Sequence, residues 1–306
     1  MTPRGLRGRR AVFGIVVAAA LAAGGTAAVA AASAGGVSAH GATVHRTAST
    51  AQVRAALVRY LSTSRPLASV TSGGGLKPGS PDSTAGSRGS AQVGSYNWSG
   101  YADTAAPGTF TAVSATWRQP ATICSPEQRL TSTWVGLDGF SDSTVEQDGT
   151  LAYCFEGQAA YYTWWEMYPG GTVTVGSAVR PGDLIKASVT ESGGSYTLSV
   201  ADLSHRSNSF STVQPCAPAG SCQDSSAEWI AERPAFSIGI APLSVFTPWL
   251  VSSATRSANG TKGSIGSGPG ATGITMVDAT QTYALDNISG LRFGGTSFSA
   301  RWLNSY

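Results

Sequence analysis

At 306 residues, with 42% hydrophobic and only 12% charged side chains, the chain suffices for one core of about 200 residues plus flanking segments. Before Ala91, ten Lys or Arg stand against Asp82 alone, a local net charge of +9; the whole chain carries +3, so the remainder carries −6. The part expected to fold is therefore acidic, which removes the electrostatic case for nucleic-acid binding.

Arg4, Arg7, Arg9 and Arg10 precede an apolar run over residues 11–23, and Ala32-Ser33-Ala34 follows. This order of charge, apolar stretch and small-residue cleavage site predicts a signal peptide over 1–34 and export to the extracellular space. An uncleaved anchor is the rival reading, but Gly24, Gly25 and Thr26 interrupt a run made largely of Ala. Arg9-Arg10 permits twin-arginine export and equally fits ordinary charge ahead of an apolar stretch.

Next, Val53, Ala56, Leu57, Tyr60 and Leu61 recur at helical spacing with Arg54 and Arg59 interleaved, which predicts a short basic helix over 51–61. Gly73-Gly74-Gly75, Lys77-Pro78-Gly79 and further Ser, Thr and Gly to about residue 90 cannot bury enough apolar surface to fold. Residues 35–91 thus read as a basic pro-segment and flexible linker. A basic helix tethered to an acidic domain suggests an inhibitory segment held by charge; the alternative is an exposed remnant without a regulatory role.

From Tyr96 the period changes to two. Ile185, Ala187 and Val189 alternate with Lys186, Ser188 and Thr190, and Tyr196, Leu198 and Val200 alternate with Thr197 and Ser199. Turn residues recur at Pro107-Gly108, Pro169-Gly170-Gly171, Pro181-Gly182-Asp183 and Gly193-Gly194, and no long amphipathic helix intervenes. Residues 92–306 are accordingly expected to form an all-β domain, an antiparallel β-sandwich of two packed sheets with a concanavalin-like outline. Residues 252–273, rich in Gly, Ser, Thr and Ala, read as a long surface loop.

Cys124, Cys154, Cys216 and Cys222 fit two disulfides in an exported chain, with three connectivities open. The favoured pairing is Cys124 with Cys154 and Cys216 with Cys222. Their spacing does not supply a zinc cluster, and no metal or cofactor is expected. The only histidines are His40, His45 and His205, the first two in the removable region, so a histidine-dependent catalyst is hard to build here.

Alternation sends Glu228, Ile230 and Glu232 to one face of a strand and Ala227, Trp229 and Ala231 to the other. Glu228 and Glu232 would stand about 13 Å apart at a rise of about 3.3 Å per residue, too far to share one proton. Trp164, Glu166 and Tyr168 share a face in the same way, as do Trp134, Gly136 and Asp138. One such strand is an ordinary solvated face. Three suggest a concave groove that holds an extended ligand by stacking and hydrogen bonding, and a sugar would suit it as well as a peptide.

Six strings occur in order between residues 96 and 248: Asn97-Trp98-Ser99-Gly100, Trp134-Val135-Gly136-Leu137-Asp138-Gly139, Glu146-Gln147-Asp148-Gly149, Trp164-Trp165-Glu166-Met167-Tyr168-Pro169, Gly182-Asp183, and Ala227-Glu228-Trp229-Ile230-Ala231-Glu232. Taken together, the chain resembles the glutamic peptidases, the eqolisin family, in a secreted, bacterial-type form. The resemblance implies a sandwich of two antiparallel sheets and an acid-optimal endopeptidase with Gln147 and Glu232 as catalytic residues. It also sets Trp98, Trp134, Asp138, Glu166 and Tyr168 at groove or supporting positions. Two departures stand out: Glu146 and Asp148 flank Gln147 where the family commonly has an apolar residue and a threonine, and Pro234 replaces an aromatic that lines the groove in fungal members.

In that chemistry ionised Glu232 takes a proton from water, Gln147 donates to the oxyanion, and Glu166 orients the pair. The implied partner is an extended polypeptide, with no nucleic acid, no membrane once the signal is removed, and a monomeric enzyme. The competing readings are a β-sandwich glycoside hydrolase using Glu166, Glu228 and Glu232, or a carbohydrate-binding module. An aspartic peptidase would need two Asp-Thr/Ser-Gly loops, and Asp148-Gly149-Thr150 reverses that order.

Overall fold

Side chains alternating in and out along each strand close two eight-stranded sheets face to face. The computed structural model describes residues 48–63, 66–67, 91–175, 179–216, 220–236, 239–267 and 271–305. The expected signal peptide and nearly all of the linker lie outside them. The described residues fall in one compact unit.

The front sheet runs, edge to edge, Ala91–Ser95, Ala271–Met276, Trp98–Thr104, Ser226–Glu232, Arg129–Leu137, Val145–Phe155, Gln158–Tyr168 and Val173–Val175. The back sheet runs Phe210–Pro215, Ser195–Asp202, Leu184–Ser192, Phe110–Arg118, Trp249–Ala258, Phe298–Trp302 and Asp286–Ile288, with Thr261–Gly263 paired to Trp249–Ala258. Pairing is antiparallel except where Ala91–Ser95 runs parallel to Ala271–Met276.

The apolar sets expected from alternation face the space between the sheets: Ile185, Ala187, Val189, Leu198 and Val200 are fully buried, whereas Lys186 and Thr190 are exposed. They meet Val135, Leu137, Trp229 and Ala231 of the front sheet. Burying each Ile, Leu or Val side chain among them stabilises the fold by about 1.5–3 kcal/mol.

The front sheet also carries a second apolar layer on its outer face, and this layer holds the helix Thr50–Thr63. Ser49 and Gln52 cap that helix reciprocally: the Ser49 N–H donates to Gln52 Oε1 at 2.8 Å and the Gln52 N–H to Ser49 Oγ at 3.4 Å. Val53 and Leu57 are each 1% exposed and pack with Leu130, Leu151, Tyr162 and Trp164.

Residues 252–273 are not a long loop. The strand Trp249–Ala258 continues through Asn259 and Gly260, both with positive φ (48° and 73°), into Thr261–Gly263, a two-residue hairpin. The Ser- and Thr-rich stretch is one exposed side of a back-sheet strand whose other side buries Val251 and Ala254. Disulfides join Cys124 to Cys154 and Cys216 to Cys222, the favoured pairing.

Candidate active site

The outer face of the front sheet presents its polar side chains in rows set by strand register. Glu232 pairs with Ser132, which in turn pairs with Leu151. Gln147 pairs with Gly136 on one side and with Glu166 on the other. Ser132, Gln147, Glu166 and Glu232 all line one cavity, floored by Leu151 and Trp164. The cavity is about 30 Å³, enough to hold water beside these groups.

Each polar group is held. Trp134 Nε1 donates to Glu232 Oε2 at 2.8 Å and Asn97 Nδ2 to Glu232 Oε1 at 3.4 Å. Trp98 and Ser132 also stand close enough to favour its anion. Burial outweighs these donors and pushes the carboxyl up to about 7. Gln147 Nε2 donates to Glu166 Oε2 at 3.1 Å, and Thr172 Oγ1 reaches the same oxygen at 3.4 Å. Glu166 is raised well above the ordinary carboxylate range, first by burial and then by the nearby Glu232 charge. Both effects favour the protonated form of Glu166.

Of the remaining positions singled out in the sequence, Trp98 and Trp134 are buried and cross edge to face at 4.9 Å beneath Glu232. They support the carboxyl and do not line the cavity. Asp138 is fully buried at the end of its strand, and its carboxylate accepts the backbone N–H groups of Gln223, Asp224 and Ser225, each at 2.7 Å. That clasp fixes the loop leading into the Glu232 strand. Tyr168 is half-buried at the end of its strand and does not line the cavity. Glu146 and Asp148 turn to the opposite face from Gln147, Asp148 toward the backbone of Ser188 and Ser199 in the back sheet.

Asn97 and Ser132 were legible as neighbours of the motifs but were not singled out, although Ser132 shares the face of Trp134. Thr172, beyond a Pro-Gly-Gly turn, carries no periodic signal. Among the described residues, one group has metal-ligand spacing, Asp183, Asp202 and His205. Its atoms are already engaged: Asp183 meets His205 Nδ1 at 2.9 Å, and Asp202 accepts from Ser204, His205 and Asn208.

Gly136 is required by the Trp134 indole. A Cβ there would lie 2.9 Å from Trp134 Cζ3 and 3.3 Å from Gln147 Cβ. Gly136→Ala displaces both groups, so kcat falls about 10-fold with KM nearly constant, because misplacement by a fraction of an ångström acts on the chemical step. Steady-state kinetics on a denatured protein substrate check this; unchanged kcat would show that the indole does not set the site.

A β-sandwich bearing a carboxylate and a carboxamide in a groove on one sheet has the architecture of a glutamic peptidase. The chain belongs to the Peptidase A4 family, whose model matches residues 96–292. It is a glutamic endopeptidase by that membership. In fold it is similar to scytalido-glutamic peptidase solved with a transition state analog inhibitor (23% identity, TM-score 0.58, 68% of this chain and 98% of that one). It is also similar to SCP-B, an eqolisin solved with the tripeptide Ala-Ile-His (22%, 0.55, 68% and 98%). A third is aspergilloglutamic peptidase from Aspergillus niger (22%, 0.50, 57% and 99%). No curated protein matches the chain in sequence.

Proposed function

We propose that the chain is an exported endopeptidase that hydrolyses proteins in acid, with Glu232 as general base and acid and Gln147 as oxyanion donor. Ionised Glu232 removes a proton from water as its oxygen attacks the scissile carbonyl carbon. Gln147 Nε2–H donates to the oxygen that becomes negative. The carbon–nitrogen bond then breaks, and protonated Glu232 gives its proton to the departing amine. Glu166 orients the Gln147 amide through the 3.1 Å hydrogen bond.

The observation that carries this reading is that Gln147, Glu166 and Glu232 line one cavity. Wetting that cavity lowers the burial that raises Glu232 and leaves the donors Trp134 and Asn97 in place, which returns its ionisation toward the acid range. Export rests on the charged, apolar and small-residue sequence of the first 34 residues.

Incubation with denatured protein at pH 3–4 is expected to release peptides, and an active-site carboxyl reagent to stop it. Polysaccharide cleavage without proteolysis would support a glycoside hydrolase instead, and saturable glycan binding without product would support a binding module.

A further inference from the structure

The cavity above Gln147 and Glu232 is covered by the chain itself. The helix Thr50–Thr63 packs against the strands Val145–Phe155 and Gln158–Tyr168, with Val53 and Leu57 buried in the outer apolar layer. Its last turn reaches the site: Tyr60 meets Phe236 edge to face at 4.9 Å, and Leu61 lines the same cavity as Gln147 and Glu232. Just beyond, Pro66–Leu67 pairs antiparallel with Phe236 and Ala235, four and three residues past Glu232. The other edge of Ala235–Phe236 is taken by Gly239–Ile240, so Pro66–Leu67 fills the edge left over.

Addition of a strand to an exposed edge, with a side chain dropped into a pocket beside it, is how an extended peptide is gripped. Leu61 packs on the outer apolar layer that includes Leu130, Leu151, Trp164 and Phe236, and with them lines the cavity. We propose that residues 48–63 and Pro66–Leu67 are an internal occupant of the substrate groove. Leu61 fills the seat for a bulky apolar substrate side chain, and Pro66–Leu67 takes the strand position that the substrate's main chain takes when the segment leaves. This rests on the peptidase reading and deepens it in two ways. The exported chain is silent until the segment departs, and the substrates are polypeptides with a Leu- or Phe-class residue at the seat. Val53 and Leu57 hold the helix by apolar burial, and acid does not weaken that part of its hold.

The test uses the full chain and Leu57→Asp/Leu61→Asp, which sets two carboxyl groups, polar whether ionised or not, into the apolar layer outside the sandwich core. At pH 4 the parent is expected to digest denatured protein after a lag, and the double variant from the first minute with an initial rate at least 10-fold higher. Binding gives a second, catalysis-free readout. A fluorescein-labelled peptide of residues 50–67 should bind saturably to the double variant carrying Gln147→Ala, and at least 10-fold more weakly to Gln147→Ala alone. Equal binding to both overturns the occupant, as does equal activity from the first minute. Binding as expected with no proteolysis by any form keeps the occupant and removes the peptidase reading. Cleavage sites with no enrichment for bulky apolar residues overturn the seat.

Discussion

Glu232→Gln is expected to lower kcat on denatured protein by about 10³-fold, and Gln147→Ala by a comparable factor. A positioned general base contributes about 10²- to 10⁴-fold, and a single oxyanion donor about 10²- to 10³-fold. The Glu232 substitution keeps size and shape, and the new amide oxygen still accepts from Trp134 Nε1, now at 2.8 Å from the carboxylate. It also removes a carboxyl that burial already pushes toward its neutral form. The variant should therefore fold at least as well as the parent while losing its chemistry. That split between activity and Tm separates a catalytic role from a structural one. Both groups act on one transition state, so the double variant should be little slower than either single variant. If either single variant keeps activity within about threefold of the parent, that residue is not in the mechanism.

The fold and the site were legible to different depths, for physical reasons. Strands buried on one face, such as 184–192 and 195–202, announce themselves because period two is the direct trace of one wet and one dry side. The two-faced front strands were legible only through their motifs: Ser226–Glu232 is buried at every position, so its polarity pattern reports side-chain pairing and not solvent. The hairpin at Asn259-Gly260 was missed because its strand exposes Ser252, Ser253 and other small polar residues, a composition that also fits a loop. The Asn-Gly pair was the better signal, since both residues sit at positive φ. At the site, Glu166 and Glu232 stood out as acids set beside aromatics, whereas Gln147 was reached only through the resemblance to the glutamic peptidases. The sequence could not distinguish side chains that line the cavity from those one layer beneath, because Trp98 and Trp134 share the face of the groove yet are covered by it. The role of Leu61 was invisible for a different reason. Its helical spacing is plain, but which surface an amphipathic helix covers is decided by tertiary contacts alone.

Raising the pH from 4 to 8 is expected to destabilise the protein, because the fold buries several carboxyl groups whose burial outweighs the groups that favour their anions. Glu146 is fully buried and pushed up to about 10, chiefly by burial and then by Asp138, Asp224 and Asp142. Glu228 and Asp148 are raised well above the ordinary range, again by burial first. Asp138 is raised to about 6, and Asp286 to about 7 even with Ser99 and Arg233 acting against burial. In each the folded value lies above the unfolded one, so the folded state holds protons that the unfolded chain releases. Their contribution is complete below about pH 4 and is lost as pH climbs through the folded values. Several such groups act in the same direction, and whole domains are stable by only about 5–15 kcal/mol, so their combined loss draws on a narrow margin. Calorimetry should place the highest Tm near pH 3–4.5 with a steep decline toward pH 8. Glu146→Gln, which faces away from the groove, should flatten that decline and leave kcat at pH 4 unchanged. A Tm that is constant or rises up to pH 8 would refute the buried-acid account. Under the proposed mechanism, ionisation of Glu232 would set the lower limit of the working range and release of these buried protons the upper one, so buried acids outside the dyad would confine activity to acid as much as the catalytic groups.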